Sequence, residues 1–118
     1  YTTQALVDLI NAGVRMVRPD VVKMGGITGL MQCAAICFAH GVEFVPHQTQ
    51  PGIGHVANLH VMATVMHNTK PAEFADPDTR MHVGIENPPL PKDGCFTLPS
   101  GPGLGLVLRE EEIERRRS

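Results

Sequence analysis

Between Arg18 and Gly29 the chain reads RPDVVKMGGITG, an apolar β-branched stretch with one carboxylate, then two glycines, then a threonine suited to capping. That order restricts the options to a strand, a tight turn and the start of a helix. Val17, Val21 and Val22 give strand character, Gly25 and Gly26 interrupt it, and Thr28 is placed to cap the helix. A second strand closes in VEFVPH, and Asp20 and His47 lie 27 residues apart. A strand, turn, helix and return take about 30 residues, so the spacing fits one βα unit with parallel strands. Asp20 and His47 then end neighbouring strands, and the near-continuous apolar run suits a parallel strand covered on both faces.

The rest of the chain is placed around this unit. Thr2 or Thr3 is suited to cap a first helix with Leu6, Leu9 and Ile10 on its apolar face, and Gly13 ends it. From Thr28 onward, Leu30, Cys33, Ala34, Cys37 and Phe38 recur at helical spacing and form one apolar stripe that stops at Gly41. Pro46 is tolerable because it sits where the second ladder runs out. After the polar loop QTQPGIG, Val56, Leu59, Ala63 and Met66 mark a further helix face. PAEFAD, read as a short strand, carries Glu73, which follows His47 by 26 residues and repeats the earlier interval. Past Asp76 the strings ENPPLPKDG and LPSGPGLG are too rich in Pro and Gly for helices and suit extended pieces and turns. Glu110 to Arg117 is a charge run in which Glu111 can pair with Arg115 and Glu112 with Arg116, the pattern of a solvated helix.

With 118 residues, 42% of them hydrophobic, the chain has material for one core and does not have the composition of a disordered segment. A net charge of −2 with one Tyr and four Phe gives neither an electrostatic footprint nor stacking platforms for nucleic acid. No apolar run approaches the ~20 residues of a membrane helix, and YTTQALVDL lacks the regions of a signal peptide. A cytoplasmic location with three reduced cysteines is therefore expected, and the absence of an initial methionine suggests the tail of something longer.

Asp20, His47 and Glu73 are the residues in which chemistry is expected, because barrels of alternating strands and helices present catalytic groups at the carboxyl ends of their strands. A histidine accepts protons near neutral pH, and a neighbouring carboxylate fixes its tautomer. On spacing alone, an Asp20 that caps a turn and a satisfied loop histidine account for the same pattern. Other motifs read as structure. GGITG lacks the full dinucleotide fingerprint, GPGLG has no preceding strand, and Cys33 and Cys37 fall within an apolar stripe with no second ligand pair at metal-site spacing. Gln48 and Gln50 either bond substrate hydroxyls or satisfy the loop's own backbone, and His55 borders the site.

PDVVKMGGITG followed at this distance by FVPH resembles the mandelate racemase group of the enolase superfamily, within its mandelate racemase and muconate lactonizing enzyme family. NPPLPKDG and GPGLGL are similar to that family's C-terminal tail, so the likeness runs over essentially the whole chain. The resemblance implies an α/β fold, the C-terminal part of a (β/α)7β TIM-like barrel plus an irregular tail. Residues 1–76 would hold the last βα units and 77–118 the capping tail. Asp20 matches the family's aspartate at the end of the sixth strand and His47 its seventh-strand histidine, an Asp-His dyad, while Glu73 matches the acidic residue after the eighth strand. Other branches place a catalytic lysine where this chain has Asp20. Lys23 is then not that base, and with Gly25 and Gly26 it supports the site from behind.

The family's chemistry abstracts the proton α to a carboxylate and holds the enediolate on Mg²⁺. Its three acidic ligands and Lys-x-Lys pair belong to earlier strands, and Asp76, Asp78 and Asp93 in the tail do not replace them. The resemblance thus implies a Mg²⁺-dependent enzyme whose metal ligands lie upstream, with the N-terminal remainder of the barrel as a partner. The chain alone would be catalytically incomplete. An acid-sugar dehydratase acting on a hydroxylated carboxylate is the first expectation, with His47 serving as base or as the acid that assists departure of the β-hydroxyl. A racemase or epimerase using the same dyad is the alternative, a non-catalytic interaction module the reading from another class, and a homo-oligomer the expected assembly.

Overall fold

The computed structural model describes residues 2–48, 52–65, 70–74 and 83–117. In chain order these form α1 (Thr3–Asn11), β1 (Met16–Val17), α2 (Ile27–Ala39), β2 (Glu43–Phe44), α3 (Ile53–Thr64) and α4 (Glu110–Arg115). The two strands are parallel, with Met16 opposite Glu43 and Val17 opposite Phe44. Their hydrogen bonding continues beyond the paired residues. Glu43 N donates to Arg15 O (2.9 Å), Val45 N to Val17 O (3.1 Å) and His47 N to Pro19 O (2.8 Å). Alternate amides of the second strand thus climb the carbonyls of the first, and Pro19, which has no N–H to give, ends the climb as an acceptor. Asp20 and His47 leave adjacent strands at the same end, as their spacing requires.

Thr2 caps α1 through its hydroxyl, which accepts from Ala5 N at 3.2 Å. Leu6 and Ile10 are buried, whereas Leu9 is exposed. In α2 the stripe Leu30, Cys33, Ala34 and Cys37 is buried, but Phe38 is 59% exposed. Eight residues at about 100° each carry Phe38 about 80° round from Leu30, off the buried face. These side chains join Val17, Val21, Val42, Phe44, Ala57 and Val61 in one core between the helices and the two strands. Both core cysteines are free thiols. Cys33 is held protonated by its hydrogen bond to Cys37 and by burial.

The start of α2 differs from expectation. Gly26, at φ 94, occupies the cap position, so Thr28 is already inside the helix and makes no cap. Two successive positive-φ glycines turn the chain so that the helix starts two residues sooner than a Thr28 cap would allow. The third glycine of GGITG has a steric duty. A Cβ on Gly29 would collide with the Met24 carbonyl oxygen.

In α3 the buried set is His55, Val56, Ala57, Asn58, Leu59 and Val61. Ala63, expected on this face, is exposed, and Met66 lies outside the described residues. Residues 71–74 form no strand, contrary to the reading of PAEFAD. Pro71 removes one ladder donor, and Glu73 turns its carboxylate onto His47 and Gln48. The tail is extended pieces and turns, with Ile85 bridging Leu108 and Lys92 bridging Cys95, both antiparallel. It rests on α3, where His60 Nε2 meets Leu104 O at 3.2 Å. Helix α4 is tied as well as solvated. Gly84 N donates to Glu112 (3.3 Å), which also pairs with Arg116 (3.2 Å), while Arg115 Nε bonds the Glu111 carbonyl (3.2 Å). No helix among the described residues is long and apolar enough to cross a membrane.

Candidate functional site

Where the two strands end, His47 and Glu73 meet. His47 Nδ1 lies 2.9 Å from Glu73 Oε2, and the same oxygen accepts from Gln48 N at 2.8 Å. Arg18 Nη2 is ion-paired with the other oxygen, Oε1. Burial alone raises the Glu73 pKa, but the Gln48 amide, the Arg18 guanidinium and the His47 ring outweigh it and hold the carboxyl below its usual range. An ionised carboxylate only accepts, so Nδ1 of a neutral His47 carries the proton and Nε2 keeps its lone pair. The His47 side chain is one-third exposed.

Asp20 is 2% exposed and turns its side chain back on its own turn. Oδ1 accepts from Val22 N at 2.9 Å, an Asx-type turn, and its carbonyl accepts from Lys23 N (3.0 Å) and Met24 N (2.9 Å). Oδ2 is buried with no hydrogen-bond partner among the described residues. Asp20 makes no hydrogen bond to His47: Glu73 holds Nδ1, and the Asp20 turn is joined to His47 through Pro19 O. Lys23 is exposed, with its backbone amide engaged in the Asp20 turn. Gly25 and Gly26, at φ 80 and 94, form the turn itself.

Gln48 and His55 are interior. Gln48 is 2% exposed, with Nε2 donating to His55 O (3.3 Å) and Oε1 accepting from Asn58 (3.3 Å), so its polar atoms are spent within the fold. His55 is 1% exposed, with neither ring nitrogen bonded among the described residues. Burial lowers its pKa to about 4, and the neutral ring packs 5.7 Å from Phe74 and 5.4 Å from Phe96. Phe74 and Phe96 are themselves 5.0 Å apart, closing a three-ring cluster that seats the tail on α3. Gln50 lies outside the described residues, as do Asp76 and Asp78.

Two participants escaped the sequence reading. Arg18, exposed just past β1, gives no motif of its own. Asn58 leaves a faint signal, a lone amide within the apolar run VANLHV, and it proves fully buried. Among the described residues, no group of three or more His, Cys, Asp or Glu side chains is gathered as a metal site, and Glu73 is already committed to a guanidinium and an imidazole. These residues do not fit Mg²⁺.

The profile described as "Enolase C-terminal domain-like" matches residues 1–112. A mandelate racemase/muconate lactonizing protein from Paracoccus denitrificans Pd1222 is 63% identical, with a TM-score of 0.89 over 98% of this chain and 31% of its own. A second structure of that protein is complexed with magnesium. The L-rhamnonate dehydratase of Saccharopolyspora erythraea is 35% identical over 109 residues, 86% of this chain and 26% of the relative. The arabinonate dehydratase of Saccharolobus solfataricus is 30% identical over 107 residues, covering 86% and 27%. The chain thus spans between a quarter and a third of the length of these relatives.

Proposed function

Because the chain belongs to the enolase C-terminal domain-like family, in the mandelate racemase and muconate lactonizing branch of the enolase superfamily, we propose that it is the C-terminal barrel portion of an acid-sugar dehydratase. The chain has an α/β fold corresponding to the C-terminal part of TIM-barrel enzymes, as the family match and the Paracoccus structure show. The proposal adds the reaction, the residues and a division into barrel units (1–76) and capping tail (77–118).

The observation that carries it is His47, set at a strand end with Nδ1 on Glu73 and a ring one-third exposed. In this reading Nε2 takes the proton α to the substrate carboxylate. Glu73 stabilises the imidazolium so formed, and Arg18 and the Gln48 amide hold Glu73 in place. Loss of the β-hydroxyl as water then gives an enol, which becomes a 2-keto-3-deoxy acid. A protonated His47 is positioned by the same contacts to assist that departure. Asp20, the other member of the proposed dyad, turns its carboxylate onto Val22 N, and its turn meets His47 through the Pro19 carbonyl. Mg²⁺ enters only as a cofactor of the longer protein, in keeping with the magnesium complex of the Paracoccus relative, and no step here runs through it.

The test is a screen of the full-length protein with Mg²⁺ against aldonates and aldarates in D2O, scoring 2-keto-3-deoxy product and deuterium at the α-carbon separately. Dehydration of a sugar acid supports the proposal. Deuterium exchange without water loss selects the racemase or epimerase reading, and neither outcome on any member of the panel refutes both.

A further inference from the structure

We infer that Asn58 is a positioning residue that fixes the Asp20 turn and the His47 loop against each other. Its side chain is fully buried in α3 and makes contacts to both. Oδ1 accepts from Val21 N at 3.2 Å, the amide next to Asp20. Nδ2 donates to His47 O at 3.1 Å and to Gln48 Oε1 at 3.3 Å. The amide's orientation follows from its partners, since a backbone N–H only donates and a backbone carbonyl only accepts. Two strand-end loops separated by 26 residues of sequence are thereby tied to one side chain on a third element.

The consequence is geometric. Besides the ladder bond from His47 N to Pro19 O and the link from Arg18 through Glu73 to His47, the Asn58 clamp ties the two loops together from the side of α3. Its loss leaves the buried Val21 amide, the part-buried His47 carbonyl and the buried Gln48 Oε1 without this partner, and the loops relax to find others. The His47 ring then shifts relative to Glu73 and Asp20 without losing any group that touches substrate. This rests on the reading of His47 as the proton-transfer group, and the experiment separates the two.

Asn58→Leu and Asn58→Asp are compared with wild type in the full-length protein with Mg²⁺. Near-isosteric leucine removes all three bonds. Aspartate keeps the acceptor for Val21 N but, when ionised, sets a carboxylate against two acceptors; when protonated it regains one donor. Asn58→Leu should lower kcat by about tenfold or more with KM changed less than about twofold, the pattern of a misplaced reacting group. The deficit of Asn58→Asp, taken as a ratio to wild type at each pH, should shrink as pH falls, and that of Asn58→Leu should not. The His47 imidazole titration, followed by NMR, should move in both variants, in Asn58→Asp wherever the introduced carboxylate is ionised. If Asn58→Leu fails to fold, the Asn58→Asp variant carries the comparison through its pH-dependent recovery. An unmoved His47 titration together with a deficit independent of pH overturns the inference. If wild type turns over no sugar acid, the function reading falls, and the His47 titration alone decides the role of Asn58.

Discussion

His47 Nδ1 and Glu73 Oε2 stand 2.9 Å apart although 26 residues separate them in the chain. The carboxylate is kept ionised by Arg18 and by the Gln48 amide against the opposing effect of burial. That pairing fixes which nitrogen of the ring is free. In Glu73→Gln the charge is gone, and the amide can present its NH2 to Nδ1 and select the opposite tautomer. Turnover by the full-length enzyme should fall by about 10²-fold, the lower end for a disabled acid–base group. Retention of full kcat in the Gln variant would remove Glu73 from the mechanism.

Asp20 and His47 provide a second check. His47→Asn should preserve folding and substrate binding and lower turnover by at least ~10²-fold, about 3 kcal/mol of barrier. Asp20→Asn should also slow the reaction. Groups acting as one unit are not additive, so the double variant should be little worse than the worse single one. Multiplying losses in steady-state kinetics would mean that Asp20 and His47 act separately.

The strand–turn–helix–strand order and the placing of Asp20 and His47 at one end were legible because they follow from hydrophobic pattern and interval, which the parallel ladder obeys. Pairing across that end was not legible. Which carboxylate meets His47 depends on side-chain direction: Asp20 folds back onto Val22 N, while Glu73 arrives from a segment with no strand periodicity. Gln48 and His55 lay in a polar loop and at a helix start, positions that read as accessible. Their burial comes from the tail, through Phe96, and from Asn58, contacts distant in sequence.

Gly29 and Gly26 should respond to substitution for different reasons. A Cβ at Gly29 collides with the Met24 carbonyl, a backbone atom that cannot swing aside. At Gly26 a Cβ meets nothing within 4 Å, and the cost comes from φ 94 alone. A β-branched residue there is opposed by backbone strain, not by crowding. Gly26→Ala, at φ 94 and ψ −169, should cost about 1–3 kcal/mol, and Gly29→Ala should cost more, because the turn must open. Denaturant unfolding of the two variants decides it: equal midpoints would show that the Met24 carbonyl yields freely.

His55 makes stability depend on pH. Its folded-state pKa of about 4, set by burial, lies below the ordinary value of 6.5. The unfolded chain therefore takes up the proton first as pH falls. The neutral ring's contribution is fully present above about pH 6.5 and is lost progressively towards pH 4, where the ring must either charge among Phe74 and Phe96 or leave them. At most about 3 kcal/mol is at stake over that window. His55→Leu removes the titrating group while keeping an apolar filling. Between pH 6.5 and 4, the denaturation midpoint of wild type should drop more steeply than that of His55→Leu, and the tail should gain protease sensitivity over the same range. Parallel midpoint curves for the two proteins would show that His55 is not the group whose protonation loosens this packing.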